Sequence, residues 1–148
     1  MQLKSGARRQ RGVTLIELMI VVVVLAILGS ISVSSYRRYM LRSNRTDATA
    51  ALLRIQVAQE KFFLQNNRYA DGDEVTTAPP DGLGIGLGGG GVTPGGFYTV
   101  GLEAADATHY TATATAREGQ TADKADCLTF TIDEQGTRTP ADSTGCWK

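Results

Sequence analysis

The sequence predicts an α+β protein, a long N-terminal helix packed on a small antiparallel sheet of three to four strands. Residues 13–66 carry helical patterning, at first wholly apolar and then amphipathic. Residues 97–139 carry short segments of period-two alternation, broken by turn residues. Between them, residues 71–96 are dense in glycine and proline, which break both kinds of element. A helix followed by a run of strands is the pattern of an α+β head.

The chain has 148 residues, which suits one modest domain. Its formal charge of zero hides a division. Residues 1–12 hold four basic side chains (Lys4, Arg8, Arg9 and Arg11) and no acid, so the remainder carries 11 basic residues against 15 acidic ones. An acidic remainder argues against a general phosphate-binding surface, while leaving room for a local basic patch.

The basic segment gives way to Val13-Thr14-Leu15-Ile16-Glu17 and an unbroken apolar run over residues 18–28. Residues 13–33 would form a helix of about 32 Å, enough for a hydrocarbon core of ~30 Å. A secretory signal peptide would carry its small-residue cleavage site after the apolar run. Here the small residue, Gly12, comes before it. A plain signal anchor would leave Glu17 unexplained, since a mid-membrane carboxylate costs ~2.5–3.5 kcal/mol on insertion scales. An intramembrane acid marks a functional position and calls for a partner.

Gly12 followed by Val-Thr-Leu-Ile-Glu-Leu-Met-Ile-Val-Val resembles the class III signal of type IV prepilins. The resemblance implies the type IV pilin fold and cleavage after Gly12, so that residues 1–12 are a leader. It implies N-methylation of Val13 by a prepilin peptidase that is also the methyltransferase. It makes Glu17 the family's assembly glutamate. The physics agrees with that role. Cleavage would create a cationic amine at Val13 within an apolar terminus, and a buried charge needs a partner. Glu17 of a neighbouring subunit can supply it in one stagger, which would fix register. Two features depart from the family. Val13 stands where phenylalanine is usual, and Ser34 stands where many members have proline. Gly29, Ser30, Ser32, Ser34 and Ser35 are poor helix formers that could loosen the same stretch.

Residues 13–35 are read as the membrane and filament-core half of the helix, and residues 36–148 as an extracytoplasmic head. Charge alone does not orient the span, because Arg37, Arg38, Arg42 and Arg45 balance the four basic residues of the leader. Cys127 and Cys146 break the tie, since an even cysteine count beyond a membrane signal suggests a disulfide and an oxidising compartment. The alternative is two separate buried thiols.

In the second half of the helix, Ala48, Ala51, Leu52, Ile55, Ala58, Phe62 and Phe63 recur at spacings of three and four, with Arg45, Asp47, Arg54, Gln56 and Glu60 assigned elsewhere. Asn66-Asn67 marks the end. Residues 71–96 read as a mobile surface connection. They contain Gly84-x-Gly86-x-x-Gly89, a dinucleotide-type spacing without the strand and helix that such a site requires. Strands are expected at 97–102, 109–116, 127–132 and 137–139, with a turn at 133–136. The ending Gly145-Cys146-Trp147-Lys148 resembles minor pilins of the PilE type, in which the inter-cysteine segment is an exposed loop that often meets partners.

Nothing in the sequence assembles an enzyme. His109 is isolated, no histidine–cysteine set has metal spacing, and no nucleophile elbow occurs. Asp71, Asp73 and Glu74 read as a solvated acidic turn. No metal and no cofactor are expected. The candidate partner contacts are Arg37, Arg38, Arg42, Arg45 and Trp147, although Trp147 is more simply a cover for the disulfide. The resulting expectation is a minor pilin, stored in the bacterial inner membrane with its head in the periplasm and then built into an extracellular pilus. Its implied partners are other major and minor pilins, the prepilin peptidase, the inner-membrane assembly platform and, before assembly, membrane lipid. The alternatives are a pilus-tip or competence pilin that binds DNA or a surface, and a type II secretion pseudopilin.

Overall fold

The computed structural model describes residues 12–102 and 106–147, so the expected leader lies outside the described residues except for Gly12. The chain divides into two compact units, Met1–Arg37 and Arg38–Lys148.

The first unit is helical wherever it is described, up to three leading residues. It contains the start of α1 (Leu15–Asn66), and every described side chain through Arg37 is exposed. Among the described residues α1 is the one helix long and apolar enough to cross a membrane. It continues without a break through residues 29–35, where glycine and serine could have loosened it. Ser30 and Ser34 turn their hydroxyls inward, donating to the carbonyls of Ile27 at 2.8 Å and Ile31 at 3.1 Å. Back-bonding of this kind satisfies serine inside an apolar helix.

In the second unit the rest of α1 packs on a four-stranded antiparallel meander. The strands are β1 (Tyr98–Leu102), β2 (Thr111–Ala116), β3 (Thr129–Asp133) and β4 (Arg138–Thr139), in spatial order β1-β2-β3-β4. Opposite partners include Val100 with Ala114, Ala114 with Phe130, and Ile132 with Arg138. The inward face carries Tyr98, Val100, Ala112, Ala114, Phe130 and Ile132, all buried. The small alanines of β2 share one buried cluster with Leu52 and Ile55 of α1. Full burial of side chains such as Leu52, Ile55 and Phe130 contributes roughly 1.5–3 kcal/mol each. The outward positions are mostly threonines: 99, 111, 113, 115, 129, 131 and 139. Threonine suits a half-solvated pleat, because its branched side chain favours strand geometry while its hydroxyl stays polar.

The expected turn at 133–136 is present. Gly136 takes a left-handed φ of 77° and donates to the Asp133 carbonyl at 3.0 Å. His109 precedes β2 rather than forming part of it, and is exposed.

The glycine-rich connection is more structured than the expected mobile loop. Leu83, Gly84 and Ile85 donate backbone bonds to Glu74, Thr77 and Val75, and Val75 and Leu83 enter the core. Gly91 lies against the free edge of β1, where its carbonyl accepts Val100 N–H at 2.8 Å. A Cβ at Gly91 would collide with the Val100 carbonyl oxygen, and φ is +77° there. The loop therefore covers part of the sheet edge, which removes donors and acceptors that could recruit another strand.

Candidate functional site: the helix start, the arginine group and the disulfide end

Gly12 and Val13 are exposed and lie ahead of the helix, and among the described residues a Cβ at Gly12 would meet nothing within 4 Å. Thr14 is the N-cap. Its Oγ1 accepts the Glu17 N–H at 3.3 Å, and its carbonyl accepts the Leu18 N–H at 3.2 Å. Thr14-x-x-Glu17 is thus a capping-box spacing, with Glu17 in the first turn where a negative charge opposes the helix dipole. Thr14 is legible in the sequence only through its spacing to Glu17, since the apolar run around it draws attention to the carboxylate alone.

The four arginines separate into two kinds. Arg37, Arg38 and Arg42 are exposed. Arg45 is buried, which corrects its place in the group of partner contacts. Its Nε and Nη2 donate to Asp123 at 2.7 and 2.6 Å, and its Nη1 donates to the Gly145 carbonyl at 3.4 Å. Both side chains of the pair are 5% exposed. The physical reason is helical register. Arg45 falls on the face of Ala48, Leu52, Ile55, Gln59 and Phe62, not on the opposite one. The two polar members of that face are both satisfied, Gln59 by exchanging two bonds of 2.8 Å with the backbone of Ala70.

Around Arg45 a polar cluster ties α1 to the segment after β2. Gln120 donates to the carbonyl of Leu41 at 2.9 Å, to Tyr98 Oη at 3.0 Å and to Asp123 at 3.1 Å, while accepting from Asn44 at 3.1 Å. Asp47 accepts from the Thr93 hydroxyl and from Gly95 N–H at 3.1 Å. The bonds that Arg45 donates to the Asp123 carboxylate raise the Arg45 pKa. Burial pushes the Asp123 carboxyl up, but the Arg45 bonds and the Lys124 N–H outweigh it, and the net shift is downward. Burial lifts the Tyr98 hydroxyl to about 12. These groups are fixed in one charge state near neutrality, as suits a structural clamp and not a proton shuttle.

At the far end of the chain, Cys127 and Cys146 form a disulfide with an S–S distance of 2.03 Å. Trp147 stands edge-on to Phe130 with ring centroids 5.5 Å apart, and its Nε1 donates to the Thr139 carbonyl at 3.2 Å. The guanidinium of Arg138 lies over the indole, 5.2 Å from its centroid. Trp147 therefore does structural packing and also presents a partly exposed edge beside an exposed cation. The two-residue β4 offers too little sequence pattern to place Arg138 next to Trp147.

The acidic turn is internally satisfied. Arg68 grips Glu74 with bonds of 2.7 and 2.5 Å, and Asp71 accepts the N–H groups of Asp73 and Glu74. Among the described residues no set of three or more His, Cys, Asp or Glu side chains could hold a metal ion.

Comparison with known proteins adds two family matches. A model described as "Type IV minor pilin ComP, DNA uptake sequence receptor" matches residues 34–131. One described as "Prokaryotic N-terminal methylation motif" matches residues 7–33. The type IV major pilin protein PilA of Myxococcus xanthus is 40% identical over 75 residues, which is 50% of this chain and 34% of that protein. The type II secretion system core protein G of Pectobacterium carotovorum is 36% identical over 61 residues, 41% of this chain and 39% of that protein. A fimbrial protein of Pseudomonas aeruginosa is 38% identical over 58 residues, 39% of this chain and 38% of that protein. The chain thus spans well under half the length of these curated relatives.

Proposed function

The chain belongs to the type IV pilin family and carries a ComP-type minor pilin domain, and on that premise we propose that it is a minor pilin whose head receives DNA on a type IV pilus. The family is structural and non-enzymatic. The observation that carries the DNA reading is the DNA-receptor match over residues 34–131, which takes in the head from α1 through most of β3. In this reading the precursor waits in the inner membrane, is cut after Gly12 and methylated on Val13, and enters the filament with Glu17 meeting the amine of a neighbour. A Cβ at position 12 would meet nothing among the described residues, so in this reading a demand for glycine there comes from the enzyme that cuts.

The head is acidic overall, so DNA must be held by a local set of cations. Arg45 and Arg68 are spent in ion pairs. Arg138 with Trp147 offers the favoured contact, a guanidinium for phosphate beside an aromatic edge for a base. The test is a titration of labelled duplex DNA with the purified chain over a series of salt concentrations. Binding should weaken with salt. Arg138→Gln should lower affinity for all sequences alike and reduce the salt slope by about one. A chain that binds no DNA even at low salt would defeat the receptor reading.

A second reading, a purely structural minor pilin, is favoured by the acid excess and by the disulfide, which closes the end of the head without any ligand. It shares the assembly role of Glu17. Glu17→Ala should still be cleaved but should enter filaments poorly, and normal incorporation of that variant would remove the register argument from both readings.

A further inference from the structure

We infer that a cleft at the outer edge of β1, walled by residues 72–76 and by the glycine-rich segment 87–91, binds a neutral saccharide, one hexose unit in size. The cleft lies at the opposite edge of the sheet from Arg138 on β4, and the inference does not rest on the DNA reading.

Three observations carry it. The first is the cavity. It measures about 290 Å³, near the lower end of the range for small-ligand sites. Val75, Leu87 and Val100 line it with apolar surface, and the exposed Asp73 and Thr76 add polar groups. The rest of the lining is glycine, whose bare backbone lets a ring come close. The second is Gly101. It sits inside β1, where glycine weakens a strand. Its φ is not left-handed, and among the described residues a Cβ there would meet nothing within 4 Å. Neither conformation nor crowding asks for glycine at this position, and a bare strand position marks close approach by a ligand or another backbone. The third lies across the strand. Thr113 pairs with Gly101 and shares its face of the sheet. Thr113 is 6% exposed, and its Oγ1 has no hydrogen-bond partner among the described residues. A buried hydroxyl left unpaired costs free energy, and the missing side chain at 101 leaves a gap beside it for a ligand hydroxyl.

The chemistry of the lining selects the ligand. Among the described residues no lysine, arginine or histidine lines the cleft, so nothing there pairs with a phosphate or a carboxylate. Asp73 donates its N–H to Asp71 at 3.0 Å and accepts at its carbonyl from Thr77 Oγ1 at 3.2 Å, and no described donor takes up its carboxylate. An ionised carboxylate only accepts, through two oxygens, and two adjacent sugar hydroxyls donate in the matching fork. The C–H face of the sugar ring would lie on Leu87, burying apolar surface on both sides. A peptide adding a strand to β1 fits less well, because Val100 already gives its N–H to Gly91 at 2.8 Å.

The experiment is an NMR titration of the full-length, nitrogen-labelled chain in dodecylphosphocholine micelles, whose headgroup carries no sugar. The probes are the methyl α-glycosides of glucose, mannose and galactose, with glycerol as a control that has hydroxyls and no ring. The expected result is saturable shifts of the Gly72, Gly90 and Gly101 amides with at least one glycoside, at an affinity in the millimolar range that salt leaves unchanged. Gly101→Val should fold at least as stably, since valine suits a strand and nothing blocks its Cβ, and should bind at least tenfold more weakly, by about the room its side chain takes from the ring. Asp73→Asn, on an exposed turn, should keep the melting temperature and weaken binding about tenfold. The proposal is overturned by silence toward all three glycosides, by a glycerol response equal to theirs, or by a folded Gly101→Val that binds like the wild type. If Gly101→Val fails to fold, Asp73→Asn decides, and unchanged affinity in that variant overturns the proposal. A chain that binds no DNA should still show these shifts, so the two readings fail separately.

Discussion

The two halves of α1 obtain their order in opposite ways. From Leu15 to Arg37 no side chain is buried by its own chain, and large residues such as Val22 and Leu25 remain more than half exposed. From Arg45 to Phe62 one face is sealed against the sheet, and its polar members are all satisfied. The first half is thus specified by an environment outside the chain, first lipid and then neighbouring pilins in the proposed life cycle. The second half is specified by its own residues. Changes in one half should register in different measurements from changes in the other.

The largest effect is expected at Arg45. Arg45→Ala would leave the Asp123 carboxylate buried and unpaired, at a cost of about 3–5 kcal/mol to the head in chemical denaturation, with membrane insertion unchanged. Arg45→Met combined with Asp123→Leu should recover most of that stability, because an apolar pair of similar size avoids the desolvation of two charges. A charge in the other half should do the reverse. Val23→Lys should cost ~2.5–3.5 kcal/mol of membrane insertion and leave the unfolding of the head where it was. If head stability fell as well, the two halves would be coupled more tightly than their packing indicates.

Loss of the disulfide through Cys127→Ser and Cys146→Ser should destabilise the head by about 3 kcal/mol on the chain-entropy model, since the bond joins residues 19 apart. Acid should act more gently. The Asp123 pKa is depressed in the folded state, so its pairing stabilises the head above the unfolded carboxyl value of about 4 and is lost as pH falls through the lower folded value. The melting temperature of the head should therefore decline below about pH 4, and Arg45→Met with Asp123→Leu should flatten that decline. The smallest effect belongs to Val57, 72% exposed on the outer face of α1. Val57→Ser should change head stability by no more than about 0.5 kcal/mol.

Much of this architecture could be read from residue patterns, and the omissions share a cause. Apolar periodicity located α1 to within two residues at its start and at Asn66 at its end, and alternation located the four strands to within two residues. Asn67, with a φ of 51°, takes the left-handed position after the helix that asparagine tolerates. What periodicity could not supply was any pairing across distance. Arg45 and Asp123 are 78 residues apart, and Asp47 and Thr93 are 46 apart. One clue was available. Arg45 and Gln59 share a helical face with Leu52 and Ile55, and a polar residue on an apolar face predicts a buried partner. The methylation-motif match over residues 7–33 is of a different kind, because a linear motif is read along the chain. Arg138 beside Trp147 was not legible in that way, since only the fold brings them together.

The polar ties between α1 and the rest of the head are concentrated in one short stretch. Leu41, Asn44, Arg45 and Asp47 hold Gln120, Asp123, Thr93 and Gly95, whereas beyond Ala48 the contact is mainly apolar, with Gln59 and the bond that Glu60 accepts from Tyr69 Oη at 3.3 Å as its polar ties. Short-range directional bonds loaded side by side resist small displacements stiffly and then give way together, while an oily contact slides. The head thus joins a stiff polar clamp at residues 41–47 to a more compliant apolar packing beyond it, so a small shear between α1 and the sheet would be resisted first by the clamp.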